Sequence, residues 1–139
     1  MPGSKSDYLE NKVLDHVLGG SDYTRPATVY LAAFTVTPSD AGGGTEATGG
    51  GYARKAITNN STNFPAAASG SKANGATFAL DAFSGSVSAG AAFVAWGLFD
   101  ALTSGNLLYW GSLAAGDQKV YTTNDQFTVP AGSMTITED

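Results

Sequence analysis

The chain reads as a mainly β protein, an antiparallel β-sandwich of jelly-roll or immunoglobulin-like type with one short N-terminal helix. Three observations point there. The stretch Ala91 to Leu113, AAFVAWGLFDALTSGNLLYWGSL, holds two apolar, aromatic-rich runs around a polar loop, the pattern of two paired strands. Turn residues recur at short intervals along the chain, and the 18 glycines among 139 residues supply many of them. Charged residues make up only 14%, and Ala, Ser and Thr are abundant, a composition suited to sheets and to surfaces packed against other subunits.

In chain order, Met1 to Lys5 reads as a loose tail. Ser6 to Leu18 (SDYLENKVLDHVL) is the one convincing helix. Ser6 or Asp7 caps it, Asp7 with Glu10 resembles a capping box, and Leu9, Val13 and Val17 form an apolar stripe widened by Leu14 and Leu18. Gly19-Gly20 ends it. Residues 1–20 are thus a tail and amphipathic helix, and 21–139 a single β-sandwich domain. The helix either covers an open end of the sandwich or docks on a partner subunit; in the second case Tyr8, Leu9, Val13 and Val17 are the contact residues.

Ala27 to Thr37 (ATVYLAAFTVT) is a long strand, apolar on both parities and therefore central. Pro38 to Gly51, with six glycines, reads as a mobile hairpin connection, and Tyr52 to Thr58 as the next strand. Asn59 to Gly75 reads as surface loop with a short extended piece at Phe64-Pro65. Ala76 to Leu80 is a short strand, and the central pair follows. Lys119 to Tyr121, Gln126 to Val129 and Ser133 to Thr137 complete seven or eight strands. Pro130-Ala131-Gly132 reads as a type I turn with Pro second and Gly fourth. The expected core includes Phe34, Trp96, Phe99, Leu108, Trp110 and Ile136, with Met134 also inward.

The chemistry of catalysis is sparse. There is no cysteine, which excludes disulfides, thiolate nucleophiles and cysteine metal sites. His16 is the only histidine and lacks the partners of a catalytic base or a histidine zinc site; its sequence neighbour Asp15 does not face it on a helix. Gly42-Gly43-Gly44-Thr45-Glu46-Ala47 matches G-x-G-x-x-A, yet three more glycines and a strand pattern follow where a phosphate-binding helix is needed. Asp81 lies past a strand end. Asp100, Asp117 and Asp125 lie in turns, where aspartate bonds to local backbone. Neither paired glycosidase carboxylates nor a calcium-loop series stands out. The expectation is a protein with no enzyme activity, cofactor or metal.

A formal net charge of -5 with scattered lysines and arginines excludes a phosphate-backbone binder, so no nucleic-acid partner is expected. The apolar runs are too short for a membrane span, and MPGSKSDYLEN has no apolar signal region, which points to synthesis in a bacterial-type cytoplasm.

Three stretches together carry a resemblance: SDYLENKVLDHVLGG at 6–20 followed by PATVYLAAFT at 26–35, GLFDALTSGNLLYWGSL at 97–113, and VPAGSMTIT at 129–137. The combination resembles a family of small virion proteins of tailed bacteriophages and prophages, of tail-fibre-like or structural type. The family carries no catalytic residues to transfer. The resemblance implies a virion protein assembled in the host bacterial cytoplasm, with the major capsid protein or other virion subunits as partners. It also implies a homo-oligomer, for which a trimer suits threefold positions. Capsid decoration, as a cement protein binding the capsid lattice in many copies, leads among the readings. A tail or tail-fibre-associated adaptor or tip comes second. A carbohydrate-binding module stacking sugars on Trp96 or Trp110 comes third, and it requires those aromatics to be exposed.

Overall fold

A computed structural model describes residues 1–138. Its strands are β1 (Pro2–Lys5), β2 (Thr28–Val36), β3 (Thr45–Glu46), β4 (Lys55–Thr58), β5 (Ser71–Ala73), β6 (Phe78–Ala79), β7 (Ala95–Phe99), β8 (Leu107–Ser112), β9 (Thr128–Val129) and β10 (Thr135–Thr137). A single α-helix, α1 (Asp7–Val17), lies near the N-terminus. Eight strands form one sheet in the order β3-β2-β7-β8-β1-β10-β5, with β4 beside β3 on the same edge of β2; β6 and β9 form a second, small sheet. The protein is mainly β, as the sequence predicts, and sandwich-like in its layering.

The centre is the antiparallel trio β2, β7 and β8, in which Ala33 pairs with Trp96 and Trp96 with Gly111. Alternation sorts their side chains onto two faces. On one face Leu31, Ala33, Trp96, Leu98 and Leu108 join the main core, which the segments around the β6–β9 sheet cover with Leu80, Phe83, Val87 and Phe127. Phe83, Phe93, Tyr121 and Phe127 pack there with ring centroids 4.5–6.1 Å apart, mostly edge to face. On the other face Ala32, Phe34 and Ala95 form a smaller cluster with Val94 and Phe99. Apolar residues on both parities therefore do mark strands covered on both sides.

Several expectations are corrected. Met1 to Lys5 is no loose tail: β1 lies inside the sheet, antiparallel to β8 and parallel to β10, so the sheet is mixed rather than purely antiparallel. Small residues serve there because the Trp96 indole, rising from β7, crosses Gly111 of β8 and reaches Gly3 of β1. A β-carbon at Gly3 would lie 2.6 Å from Trp96 Cη2, and one at Gly111 would lie 2.8 Å from Trp96 Cε2. Only glycine lets the two backbones approach the ring so closely.

Of the expected core, Phe34, Trp96, Leu108 and Ile136 are buried, whereas Phe99 and Trp110 are half-buried. Trp110 points away from the core face that Trp96 fills, and its indole N–H donates to Asp40 Oδ1 at 3.0 Å. Phe99 lies under the Arg54 guanidinium on the second face. Lys119 to Tyr121 is not a strand; a single bridge joins Phe93 to Lys119.

The segment Asn59 to Gly75 holds a strand, β5, at its end. Buried Asn74 then takes over: its side chain donates to Ala76 O and Pro130 O and accepts from Met134 N–H. That bonding shapes the following turn, which is closed by Ser133 N–H to Pro130 O with Gly132 at φ 78°. Pro is therefore first and Gly third, as in a type II turn, and not the expected type I.

The glycine-rich connection is tied down rather than loose. Thr45–Glu46 pairs with β2, and Ser39 bridges Gly42. Arg54 then locks the connection from its far end. Its guanidinium donates from Nε and Nη2 to the two Glu46 oxygens at 2.8 and 2.7 Å, and from Nη1 to Ala101 O and Ser104 O, both at 2.8 Å. It also stacks 3.5 Å from the Phe99 ring centre. No helix follows the glycines, so the dinucleotide pattern has no phosphate-binding terminus.

Candidate partner interface

The helix is built as the sequence predicts at its start. Ser6 is its N-cap, with Oγ accepting from Leu9 N–H at 3.3 Å. Ser6 is itself buried, its Oγ–H donates to Leu107 O, and its N–H donates to Leu108 O at 2.9 Å, so the first turn is pinned to β8. Asp7 N–H donates to Asp40 O at 2.8 Å. Leu9 is the one buried residue of α1 and belongs to the main core, and Tyr8 is half-buried beside it.

Beyond that turn the helix leaves the body. Exposure climbs from 4% at Leu9 to 37% at Val13, 57% at Leu14, 69% at Val17 and 72% at Leu18. The four exposed aliphatic side chains follow one another at helical spacing and make a continuous apolar edge. Of the four residues expected at the interface, Val13 and Val17 lie on this edge, while Leu9 faces inward and Tyr8 covers it. Leu14 and Leu18, which the sequence marks only as widening the stripe, are more exposed than Val13. The return segment steadies the tip: Ser21 N–H donates to Asp15 O and Tyr23 N–H to His16 Nδ1 at 3.1 Å. His16 is thus occupied in shaping the helix end, with Asp22 at 3.6 Å.

Beside the first turn, on the same side of the sheet, lies an open pocket of about 190 Å³. Leu9, Val29, Leu98 and Leu108 form its floor, and Tyr23, Phe64 and Tyr109 stand around it with Arg25 and Lys72 at the rim. The phenols stay neutral. Burial, then the Glu138 charge and Tyr23, pushes Tyr109 up to about 12. Burial, helped by Tyr8 and Asp100, raises Tyr23. Sequence reasoning missed this pocket, because residues 23–29, 64–72 and 98–109 meet only through the sheet order.

Three of the acidic residues singled out in the sequence are spent locally. Asp100 accepts from Asn106 N–H and its side-chain amide, Asp125 accepts from Thr122 N–H, and Asp81 pairs with Lys55 at 2.7 Å. Among the described residues no three His, Asp or Glu side chains gather as a metal site, and no helix is long and apolar enough to cross a membrane.

The profile of one protein family, described as podophage GP4 fiber I protein gp80, matches residues 4–137. Comparison with curated proteins gives no match. The matched span runs from β1 through β10 and takes in α1 with its exposed edge.

Proposed function

The chain belongs to the podophage fiber I protein family and is a small structural protein of the phage virion, and from that premise we propose that it is a fibre-associated subunit, a compact tip or adaptor rather than a shaft. The family match over nearly the whole chain carries this reading. It fits a protein that acts by binding other virion subunits and turns over no substrate. The α1 edge supplies an apolar surface for such contacts, and assembly takes place in the host bacterial cytoplasm.

Capsid decoration is the second reading. It is favoured by the absence, among the described residues, of any repeating shaft-forming element, since a single compact domain suits a lattice position as well as a fibre tip. The two separate in one measurement. Cryo-electron microscopy of the intact particle should place density of this size at the fibres, in register with the tail. Copies ordered across the icosahedral shell, with none at the tail, would overturn the fibre reading and install decoration in its place.

A further inference from the structure

We propose that the overhanging edge of α1 and the apolar pocket beside its first turn are complementary halves of a self-association surface, each filled by a second copy of this chain. The inference holds for either position in the virion.

Two features need a partner. Val17 and Leu18 are 69% and 72% exposed at the end of an 11-residue helix that only its first turn anchors through a buried side chain. Helices this short are marginal without packing, so an apolar tip held in water is stabilised by whatever covers it. The pocket is the converse, an apolar hollow of a size to take one or two aliphatic side chains. The tip cannot fill its own pocket. At 1.5 Å per residue it lies roughly 13 Å along the axis from Leu9, which forms part of the floor.

Charge selects a copy of the same chain as the occupant. At the rim, Arg25 donates to Asn59 O, and Lys72 to Phe64 O and Pro65 O. Among the described residues neither pairs with a carboxylate, nor do Lys12 and Lys119, whereas Lys5, Arg54 and Lys55 each do. Nearest the tip stand the exposed acids Asp15 and Asp22, with exposed Glu10 back at the first turn and Lys12 between them. A second copy entering tip first brings aliphatic groups to the floor and carboxylates to Arg25 and Lys72 at the rim. The contact is small, so it belongs to the weak end of the interface range and gains strength from repetition in an assembly.

Sedimentation equilibrium of the full chain tests this. Wild type should show mass rising with concentration above the 14.1 kDa monomer. Val17→Asp with Leu18→Asp, at exposed positions, should weaken association by about tenfold or more. Arg25→Glu with Lys72→Glu should weaken it comparably. A mixture of the two double variants, one with an intact pocket and the other with an intact tip, should pair again. A wild type that stays monomeric at its highest soluble concentration overturns the proposal. So does association that either double variant leaves unchanged, or a mixture that fails to pair.

Discussion

Gly3 and Trp96 touch so closely that a single methyl group cannot be placed between them: a β-carbon on Gly3 would lie 2.6 Å from Trp96 Cη2. Gly3→Ala should therefore destabilise the fold by about 1–3 kcal/mol, the usual cost of overpacking. Urea titration followed by tryptophan fluorescence measures it. An unchanged midpoint would mean that β1 is not held against the ring. By the same contact, removing residues 1–18 takes a strand out of the sheet and should unfold the domain, not merely free it from a partner.

The two tryptophans should respond differently. Trp96→Ala empties the centre of the core and should cost about 3–5 kcal/mol. Trp110→Phe gives up one hydrogen bond to Asp40 at a half-exposed site and should cost about 1 kcal/mol. Equal losses in thermal denaturation would contradict the burial of one and the exposure of the other. Trp110 is also the only one of the pair that solvent reaches, so it alone retains any claim to sugar stacking.

Asn74 holds three side-chain hydrogen bonds while 3% exposed. Asn74→Ala should lower stability by about 3 kcal/mol, because Met134 N–H and two carbonyls lose their partners in a site that excludes water. Hydrogen exchange should accelerate first at Met134. Protection there equal to wild type would show that the turn stands without the amide.

Arg54 is bound as a planar fork, with Glu46 on one side and the 101–104 loop on the other. Arg54→Lys keeps the charge but not the geometry and should still destabilise, by roughly 2 kcal/mol. Chemical denaturation decides; a neutral Arg54→Lys would mean that charge alone holds the glycine-rich connection.

High pH should weaken the fold through its buried phenols, Tyr52, Tyr109 and Tyr121 among them. Burial, followed by the Glu138 charge and Tyr23, holds Tyr109 up to about 12; burial, followed by Asp125 and Asp117, does the same for Tyr121. A raised folded-state value favours the neutral form. The contribution is therefore intact below about pH 10, where the unfolded chain titrates, and is lost as pH rises through about 12. Urea midpoints should fall across that window, and the fall should be shallower in the Tyr109→Phe/Tyr121→Phe double variant. Parallel slopes would assign the alkaline loss to other groups.

Legibility in the sequence followed locality. The strands β2, β7 and β8 were readable because each carries apolar residues on both faces, and α1 because its cap, stripe and terminal glycines lie within fifteen residues. The β1 strand was not, since Pro-Gly-Ser-Lys has no strand propensity and its role comes from Tyr109, Trp110, Thr135 and Ile136 far along the chain. Trp110 was misplaced because an apolar run says nothing about which side of the sheet meets solvent. The edge residues Val13 and Val17 came from periodicity alone; the pocket, assembled from four separate segments, left no periodic signal.

The parallel pairing of β1 with β10 also orders events on the ribosome. Residues 2–5 are made long before their neighbour Thr135–Thr137. Until Thr135–Thr137 are made, one edge of β1 is open and the sheet is incomplete. Closure pairs segments far apart in the sequence, and contacts of such separation slow folding. A nascent chain stalled before Thr135 exposes an unpaired edge to its neighbours in a polysome, in a protein whose job is to assemble.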